Sequence, residues 1–415
     1  MSENFRLPNA LVPAAVLLFA LLPHAGWADD EKVAAVLKAH ARAFIVDEEG
    51  LHGEGAGWLI EQAGAAQFTL IGESHHNVET PLLTRGLLAA LRDSGYSAYV
   101  VESGPESTRL LMDKVARGGI EAGIALQQGF PYSLAFLDRH EELEAAAKAV
   151  ALGYEVWGVD QEFMGSPRLL LNRLGELTTD ANEQERIAGM IDREMEALAR
   201  LMETGDPSGA LLLSTPPREF DALAAAFADP DSEGARIVDQ LRASATIYRA
   251  FAEQRYYDNN ASRVDLIKRN FLSRMQQPDG TLSNRRAFIK MGSVHSGRGR
   301  TPMHVYDIGN FAAELAFAQG NDSLHVLVLA TGSVQPDGEF ASWHESASHL
   351  VPAFELVPDD NAMVFDLRPL RPLLTQRTGK TPEQEKLQET ALRYDALVVF
   401  PRFHPASPIV GVPGE

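Results

Sequence analysis

The sequence predicts an α/β protein with a mainly parallel sheet flanked by helices and a large helical insertion capping the carboxyl ends of the strands. Apolar, β-branched runs alternate along the chain with helical patterns, as they do in a sheet built from βαβ units. Most of these runs are continuously hydrophobic, which is typical of strands covered on both faces. Between residues 167 and 275 the strand pattern disappears and helical patterns dominate, so this stretch is the predicted insertion.

Seven strands are predicted from the apolar runs, and the chain between the first two carries helix boundary signals. Thr80 is a suitable cap, Pro81 suits the first helical position, and Gly95 ends the pattern. The leucines between them recur at helical spacing and form one apolar face. The predicted strands are Gln67–Gly72, Ala98–Glu102, Tyr154–Val159, Ala287–Met291, His325–Ala330, Met363–Leu367 and Ala396–Phe400.

Two further helices and one long loop complete the predicted order of elements. The second helix begins near Pro105 and ends at the Gly118-Gly119 pair, and a third covers residues 136–152. Residues 330–360 are predicted to form a long loop, and loops of that length are often functional. The insertion leaves the sheet and returns to it near the strand ends, so we expect it to close over them.

The composition restricts the class of protein and its partners. The 415 residues are 45% hydrophobic and 23% charged, as in a soluble globular protein. A net charge of −20 argues against nucleic acid or an anionic membrane surface as a partner. The chain has no cysteine, which excludes disulfides, thiolate metal sites and a cysteine nucleophile.

The N-terminus resembles a targeting segment. Arg6 precedes an apolar stretch over residues 10–22, and Gly26-Trp27-Ala28 places small residues where a signal peptidase cleaves. We predict a signal peptide over residues 1–28 and a mature domain over residues 29–415. The protein is then expected to be periplasmic or secreted, with no stable membrane anchor after cleavage.

Two distant sequences share one arrangement, and they carry the main functional signal. Ile71-Gly72-Glu73-Ser74-His75-His76 and Met291-Gly292-Ser293-Val294-His295 each end a predicted strand in a Gly-x-x-His turn, and Glu102 ends a third strand. Ligands bind at the carboxyl ends of strands in open α/β sheets, so these side chains indicate acid/base or metal chemistry. Extended residues alternate sides, which would group Glu73 with His75, but a turn already begun would direct His76 inward instead.

Five further residues are candidates for substrate binding. Asp160 and Glu162 follow a predicted strand end, where they either support the site or cap the next helix. Arg263 and Asn270 are seven residues apart, which places both on one face of a helix in the insertion. Arg298 lies in a basic, glycine-rich turn after the second histidine motif, where it is suited to hold a carboxylate or an oxyanion.

In this order, the motifs resemble the erythromycin-esterase-like superfamily, which includes Tiki-type proteases and haem-binding iron-uptake lipoproteins. The resemblance covers most of the chain from about Phe68 onward. Esterase-like members use a Glu-x-x-His spacing, which selects His76, whereas the other two groups use Gly-x-x-His, which selects His75. The matching features are Gly72-Glu73, His75 or His76, Glu102, His295, the Arg263 and Asn270 pair, and the final strand Tyr394–Phe400.

The resemblance implies the fold and the site and leaves the reaction open. The first hypothesis is an exported hydrolase that cleaves an ester, lactone or related acyl bond of a small-molecule substrate. A histidine of the first turn would act as general base, and Glu73 and Glu102 would orient it. His295 and Arg263 would stabilise the developing oxyanion. Under this hypothesis no cofactor is expected, and changes at Arg263 or Asn270 are expected to affect binding or turnover more than stability.

Two alternatives stay open at this point. The first is a Tiki-type, divalent-metal-dependent hydrolase or peptidase whose metal ligands would be His75, His295, Glu73 and Glu102. The second is a non-catalytic haem- or iron-binding uptake protein in which a histidine ligates the iron. The absence of a lipobox cysteine weighs against an uptake lipoprotein.

Overall fold

A computed structural model describes residues 30–375 and 380–411, so the predicted signal peptide lies outside the described residues. Within these ranges none of the helices is both long and apolar enough to cross a bilayer. The strands are β1 (Ala41–Asp47), β2 (Gly50–His52), β3 (Phe68–Glu73), β4 (Tyr96–Val101), β5 (Glu155–Gly158), β6 (Arg286–Gly292), β7 (Ser323–Ala330), β8 (Gly332–Val334), β9 (Phe340–Ser342), β10 (Ala362–Asp366) and β11 (Ala396–Phe400).

Nine of these strands form one sheet in the order β2-β1-β10-β11-β7-β3-β6-β4-β5. The six from β11 to β5 are parallel, while β10, β1 and β2 extend the sheet by antiparallel pairs. The strands that carry the three functional motifs, β3, β6 and β4, are direct neighbours. Because they run parallel, their carboxyl ends meet at one edge of the sheet, as predicted.

Helices cover both faces of this sheet. They are α1 (Asp30–Ala39), α2 (Glu54–Ala65), α3 (Glu79–Leu91), α4 (Pro105–Gly129), α5 (His140–Ala151), α6 (Pro167–Leu177), α7 (Ala181–Thr204), α8 (Leu211–Ser214), α9 (Pro217–Ala226), α10 (Glu233–Ala252), α11 (Tyr256–Met275), α12 (Ser293–Ser296), α13 (Ile308–Ala318), α14 (Val351–Phe354), α15 (Leu370–Thr375) and α16 (Pro382–Arg393). Helices α2 to α5 pack on the face that carries Ile71 and Val101, and α11 and α13 pack on the opposite face, which carries Leu70 and Val100.

The chain from the end of β5 to the start of β6 is helical, as predicted, and comprises α6 to α11. Its first five helices share a core of their own, which includes Leu174, Ile187, Leu212 and Leu241. The last helix, α11, instead packs against the sheet through Ile267 and the residues that follow it. The insertion is therefore a helical layer that α11 attaches to the sheet, and the predicted fold class is confirmed.

Several element boundaries differ from the prediction. Helix α4 has non-helical backbone at Gly119, with a φ of 70°, where the helix was predicted to end; a second helical segment that was not predicted then continues to Gly129. Helix α5 begins at His140, since Phe136 has a φ of 58° that no helix accommodates. The predicted loop over residues 330–360 contains the β8–β9 hairpin and α14. Strands β1 and β2 were not predicted, since they form the antiparallel edge outside the βαβ pattern.

Candidate functional site

His75 and Glu73 form the first part of the candidate site, at the end of β3. They project to the same side, and His75 Nδ1 lies 3.0 Å from Glu73 Oε1. The Glu73 side chain is 1% exposed, whereas that of His75 is 25% exposed. A buried carboxylate therefore fixes the ring of a histidine that solvent still reaches, and it selects the tautomer with the proton on Nδ1.

The His75 side chain lies above Gly292 at the end of β6, and it contacts Glu102, which directly follows β4 on the other side of β6. His75 Nε2 lies 3.5 Å from Glu102 Oε2, and the Gly292 amide donates to the same oxygen at 2.6 Å. A Cβ on Gly292 would lie 2.8 Å from Nε2 and 3.3 Å from Glu102 Oε2. Glycine is thus required in the second motif because the side chains of two other strands meet above it.

His295 lies on the other side of Glu102. Its Nε2 is 3.3 Å from Glu102 Oε1, and its Nδ1 is 2.7 Å from Asp307 Oδ2. Burial opposes the charge, but the two carboxylates outweigh it and raise the pKa of His295 to about 10. His295 is therefore a buried imidazolium at neutral pH. Asp307, which caps α13, was not predicted, although an Asp before a helix is a recognisable signal.

Arg263 brings a second fixed positive charge from the insertion. Its guanidinium lies 2.9 Å from Glu102 Oε1 and forms two-pronged contacts with Asp160. Burial would raise the pKa of Glu102, but His295 and Arg263 hold it well below its ordinary value. Asn270 lies two turns further along α11 and donates to the Val159 carbonyl at 2.9 Å, so it contacts a strand end rather than the histidines.

A buried lysine, Lys290, was not among the predicted site residues. Its Nζ lies 2.5 Å from Glu73 Oε1 and 2.7 Å from Glu142 Oε1. Burial raises the pKa of Glu142 to about 7, in spite of the nearby ammonium group. The signal for Lys290 was present, because a lysine inside a continuous apolar strand must meet a buried partner. Glu142 gave no such signal, since it begins a helix rich in acidic residues.

Three predicted site residues lie outside this group. His76 has a φ of 64° and is exposed, because the chain turns sharply after His75. Glu162 is buried and accepts from the amides of Glu106 and Ser107, so it caps α4. Arg298 pairs with Asp395 at 2.7 Å and also donates to a backbone carbonyl. The structure therefore places His76, Glu162 and Arg298 apart from the contacts around Glu102, and their roles in catalysis or substrate binding stay predictions.

Phe136 lies directly against His75. The two rings are stacked, with their centroids 3.9 Å apart and an interplanar angle of 20°. The sequence offered no signal for this contact, since Phe136 lies 61 positions after His75 in an irregular segment. The imidazole is thus fixed by Glu73 at one nitrogen and by an aromatic ring on one face.

The charges within the group bear on the metal and haem alternatives. Among residues 30–375 and 380–411, no set of three or more His, Asp or Glu side chains has the arrangement to hold a metal ion. Glu102 and Glu73 are paired with Arg263 and Lys290, so a divalent ion there would lie beside two positive charges. Both nitrogens of His295 contact carboxylates, which leaves none for haem iron. These charges disfavour a divalent ion between Glu73 and Glu102, and they leave His75 as the histidine of this site that a haem iron could reach.

Comparison with solved structures identifies proteins of similar fold. A Bacillus cereus protein has a TM-score of 0.57 at 13% identity, over 91% of this chain and 98% of that chain. A succinoglycan biosynthesis protein has a TM-score of 0.53 at 12% identity, over 92% and 100%. A histidine-to-asparagine variant of the erythromycin esterase EreC, in its open conformation, has a TM-score of 0.52 at 14% identity, over 86% and 95%.

These similarities concern the fold. The sequence matches no protein-family model and no curated protein. The resemblance to the erythromycin-esterase-like superfamily, predicted from the strand-end motifs, is confirmed at the level of the fold by the EreC structure. Identities of 12–14% do not transfer a reaction or a set of catalytic residues.

Proposed function

We propose that the protein is a hydrolase that cleaves an ester, lactone or related acyl bond of a small molecule, with His75 as its general base. The observation that carries the proposal is that the side chains at the candidate site differ in their exposure to solvent. Glu73, Glu102 and His295 are buried and each is paired with a charged neighbour, whereas His75 keeps 25% of its side chain exposed. His75 is therefore the member that a water molecule and a substrate can reach.

The geometry supports a defined role for each residue in this reaction. Glu73 holds Nδ1, so His75 Nε2 takes a proton from water as the water oxygen attacks the acyl carbon. Arg263, which is 22% exposed, and the imidazolium of His295 supply positive charge for the oxyanion that forms. When the tetrahedral intermediate collapses, the His75 imidazolium returns the proton to the leaving oxygen.

The pKa of His75 sets the pH range of this step. Burial lowers the pKa, but Glu73 and then Glu102 outweigh burial, so the pKa lies above its ordinary value of 6.5. A general base must be unprotonated, so activity is expected to rise as the pH increases through this raised pKa. Export to the periplasm or the medium, proposed from the N-terminal sequence, is compatible with such an enzyme.

The decisive test compares two adjacent histidines. His75→Ala should lose about 100- to 10,000-fold in kcat, which is the range for a placed general base. His76→Ala is the matched control and should stay close to the wild type, since His76 is exposed and outside the group. The assay is a panel of aryl esters, lactones and small peptides, with unfolding by urea as the check on folding.

Three results would contradict the proposal or redirect it. Equal activity of folded His75→Ala and wild type would remove His75 as the base. Loss of activity on chelation, with recovery when Zn²⁺ is restored, would favour the metal-dependent alternative. A Soret band on titration with haem that disappears in His75→Ala, together with no hydrolysis across the panel, would favour the uptake alternative.

A further inference from the structure

The last described segment of the chain, residues 401–411, runs beside the turn that follows His75 and is called the C-terminal strap below. We propose that this strap and Phe136 are positioning elements for His75. The strap joins the turn that carries His75 to the irregular segment that carries Phe136, and so holds the two rings in their stack. The proposal rests on the proposed function only where it concerns turnover, because the positioning itself is measurable without a substrate.

The strap forms backbone hydrogen bonds with the turn that follows His75. The Val78 amide donates to the His404 carbonyl at 3.0 Å, and the Ala406 amide donates to the His76 carbonyl at 2.9 Å. The Glu79 carboxylate accepts from the His404 amide at 3.0 Å and lies 2.6 Å from its ring nitrogen Nδ1. The turn is therefore bonded on both sides of residue 77 to the same segment.

The same strap continues onto the segment that carries Phe136. The His140 amide donates to the Ser407 carbonyl at 2.9 Å, and the Ile409 amide donates to the Asp138 carbonyl at 3.0 Å. The Ser407 amide donates to the Glu141 carboxylate, also at 2.9 Å. One short stretch of backbone thus bridges two parts of the chain that are about 60 positions apart.

Two apolar side chains anchor the strap to the body of the protein. Phe403 and Ile409 are buried and belong to the core that covers the α3 and α5 side of the sheet. Phe403 precedes the hydrogen-bonded residues 404–409, and Ile409 is the last of them. The strap is therefore fixed at both ends, and its middle is fixed by the turn and by the Phe136 segment.

The backbone at the stacked pair requires this external support. Phe136 has a φ of 58°, His76 has a φ of 64°, and Tyr132 has a φ of 63°. Bulky residues rarely adopt such values, and they persist where surrounding contacts over-determine the conformation. Without the strap, both segments are expected to relax to ordinary backbone conformations, which would separate the phenyl ring from His75.

The stack has two effects on His75 that matter for a general base. It limits rotation of the ring about its Cβ–Cγ bond, so Nε2 keeps its direction over Gly292. It also shields one face of the imidazole from water. Both effects concern the transition state more than the binding of substrate, so their loss should lower kcat and leave KM nearly unchanged.

The test measures the His75 ring directly. In Phe136→Leu, the carbon-bound ring protons of His75 should move downfield in the NMR spectrum, because the ring current of the stacked phenyl is lost. Their resonances are assigned by their disappearance in His75→Ala. The same variant should lower kcat by about 2- to 10-fold, the range for loss of one aromatic pair, at similar KM. Phe130→Leu, in the neighbouring part of the chain, is the matched control and should change neither quantity.

A second variant loosens the strap without touching the rings. Glu79→Ala removes the carboxylate that holds His404, and it should move the His75 resonances in the same direction as Phe136→Leu, in a protein that unfolds at a similar urea concentration. Unchanged His75 resonances in both variants would overturn the positioning proposal, whatever happens to activity. Shifted resonances at unchanged kcat would support the positioning and count against His75 as the base, so the two proposals fail in distinguishable ways.

Discussion

The candidate site shows how residue types acquire their properties from their neighbours. Glu73 and Glu142 both contact Lys290, but only Glu142 has its pKa raised, to about 7. The pKa of Glu73 is lowered, because its second partner, His75, adds to the effect of the ammonium group against the burial. The same ammonium group thus leaves the pKa values of the two carboxylates shifted in opposite directions, because only Glu73 has His75 as a second partner.

This difference leads to a prediction for Glu142→Gln. The ionised Glu142 favours the imidazolium of His75, so its replacement should lower the His75 pKa and move the acid limb of the profile of kcat/KM against pH to lower pH. Glu144→Gln, on the same helix but half exposed, is the control and should leave the limb in place. If the acid limb of Glu142→Gln stayed at the pH of the wild type, as in Glu144→Gln, the charge of Glu142 would have no effect on the pKa of His75.

At the scale of elements, the sequence predicted the central strands and the insertion better than the irregular segments. All seven predicted strands exist, with boundary shifts of up to two residues, because each is a buried apolar run. Glu73, Glu102 and His295 were found because parallel strands place their ends together. Phe136 and Glu142 could not be found, since their contacts depend on how α5 and its preceding segment pack on β3.

The helical insertion contains a buried carboxyl group, Glu194, whose raised pKa makes the stability of the protein depend on pH. Glu194 of α7 is buried and accepts from the Leu211 amide at 2.6 Å. Burial raises its pKa from 4.5 to about 7, which corresponds to about 3 kcal/mol. Because the folded protein binds this proton more tightly than the unfolded chain, protonated Glu194 increases the free energy of unfolding. This contribution is fully present below about pH 4.5 and is lost as the pH rises through about 7.

Glu194→Gln removes this pH dependence and should therefore stabilise the protein at alkaline pH. We expect the variant to unfold at a higher temperature than the wild type at about pH 8.5, and the difference to disappear at about pH 5. Glu196→Gln, exposed on the same helix, is the control and should show no such trend. A constant difference between Glu194→Gln and wild type across this range would mean that Glu194 is not held in its neutral form.

At the scale of the whole molecule, Arg263 joins the insertion to the sheet. It is the residue through which α11 contacts both Glu102 and Asp160, each at the end of a different strand. The sequence predicted that changes at Arg263 would affect turnover more than stability. The structure changes that expectation, because the guanidinium compensates two buried carboxylates and their charges would remain after its removal.

Arg263→Met should therefore reduce both activity and stability. Breaking a buried ion pair from one side typically costs about 3–5 kcal/mol, so the midpoint of unfolding by urea should fall clearly. Arg269→Met is the matched control, since Arg269 is exposed on the same helix, and its midpoint should stay close to that of the wild type. Arg263→Lys should recover part of the stability, because it keeps the charge, but little of the activity, because an ammonium group does not reproduce the paired contacts with Asp160. If Arg263→Met lost activity at an unchanged unfolding midpoint, the insertion would be attached to the sheet mainly by its apolar contacts, and Arg263 would act on the substrate alone.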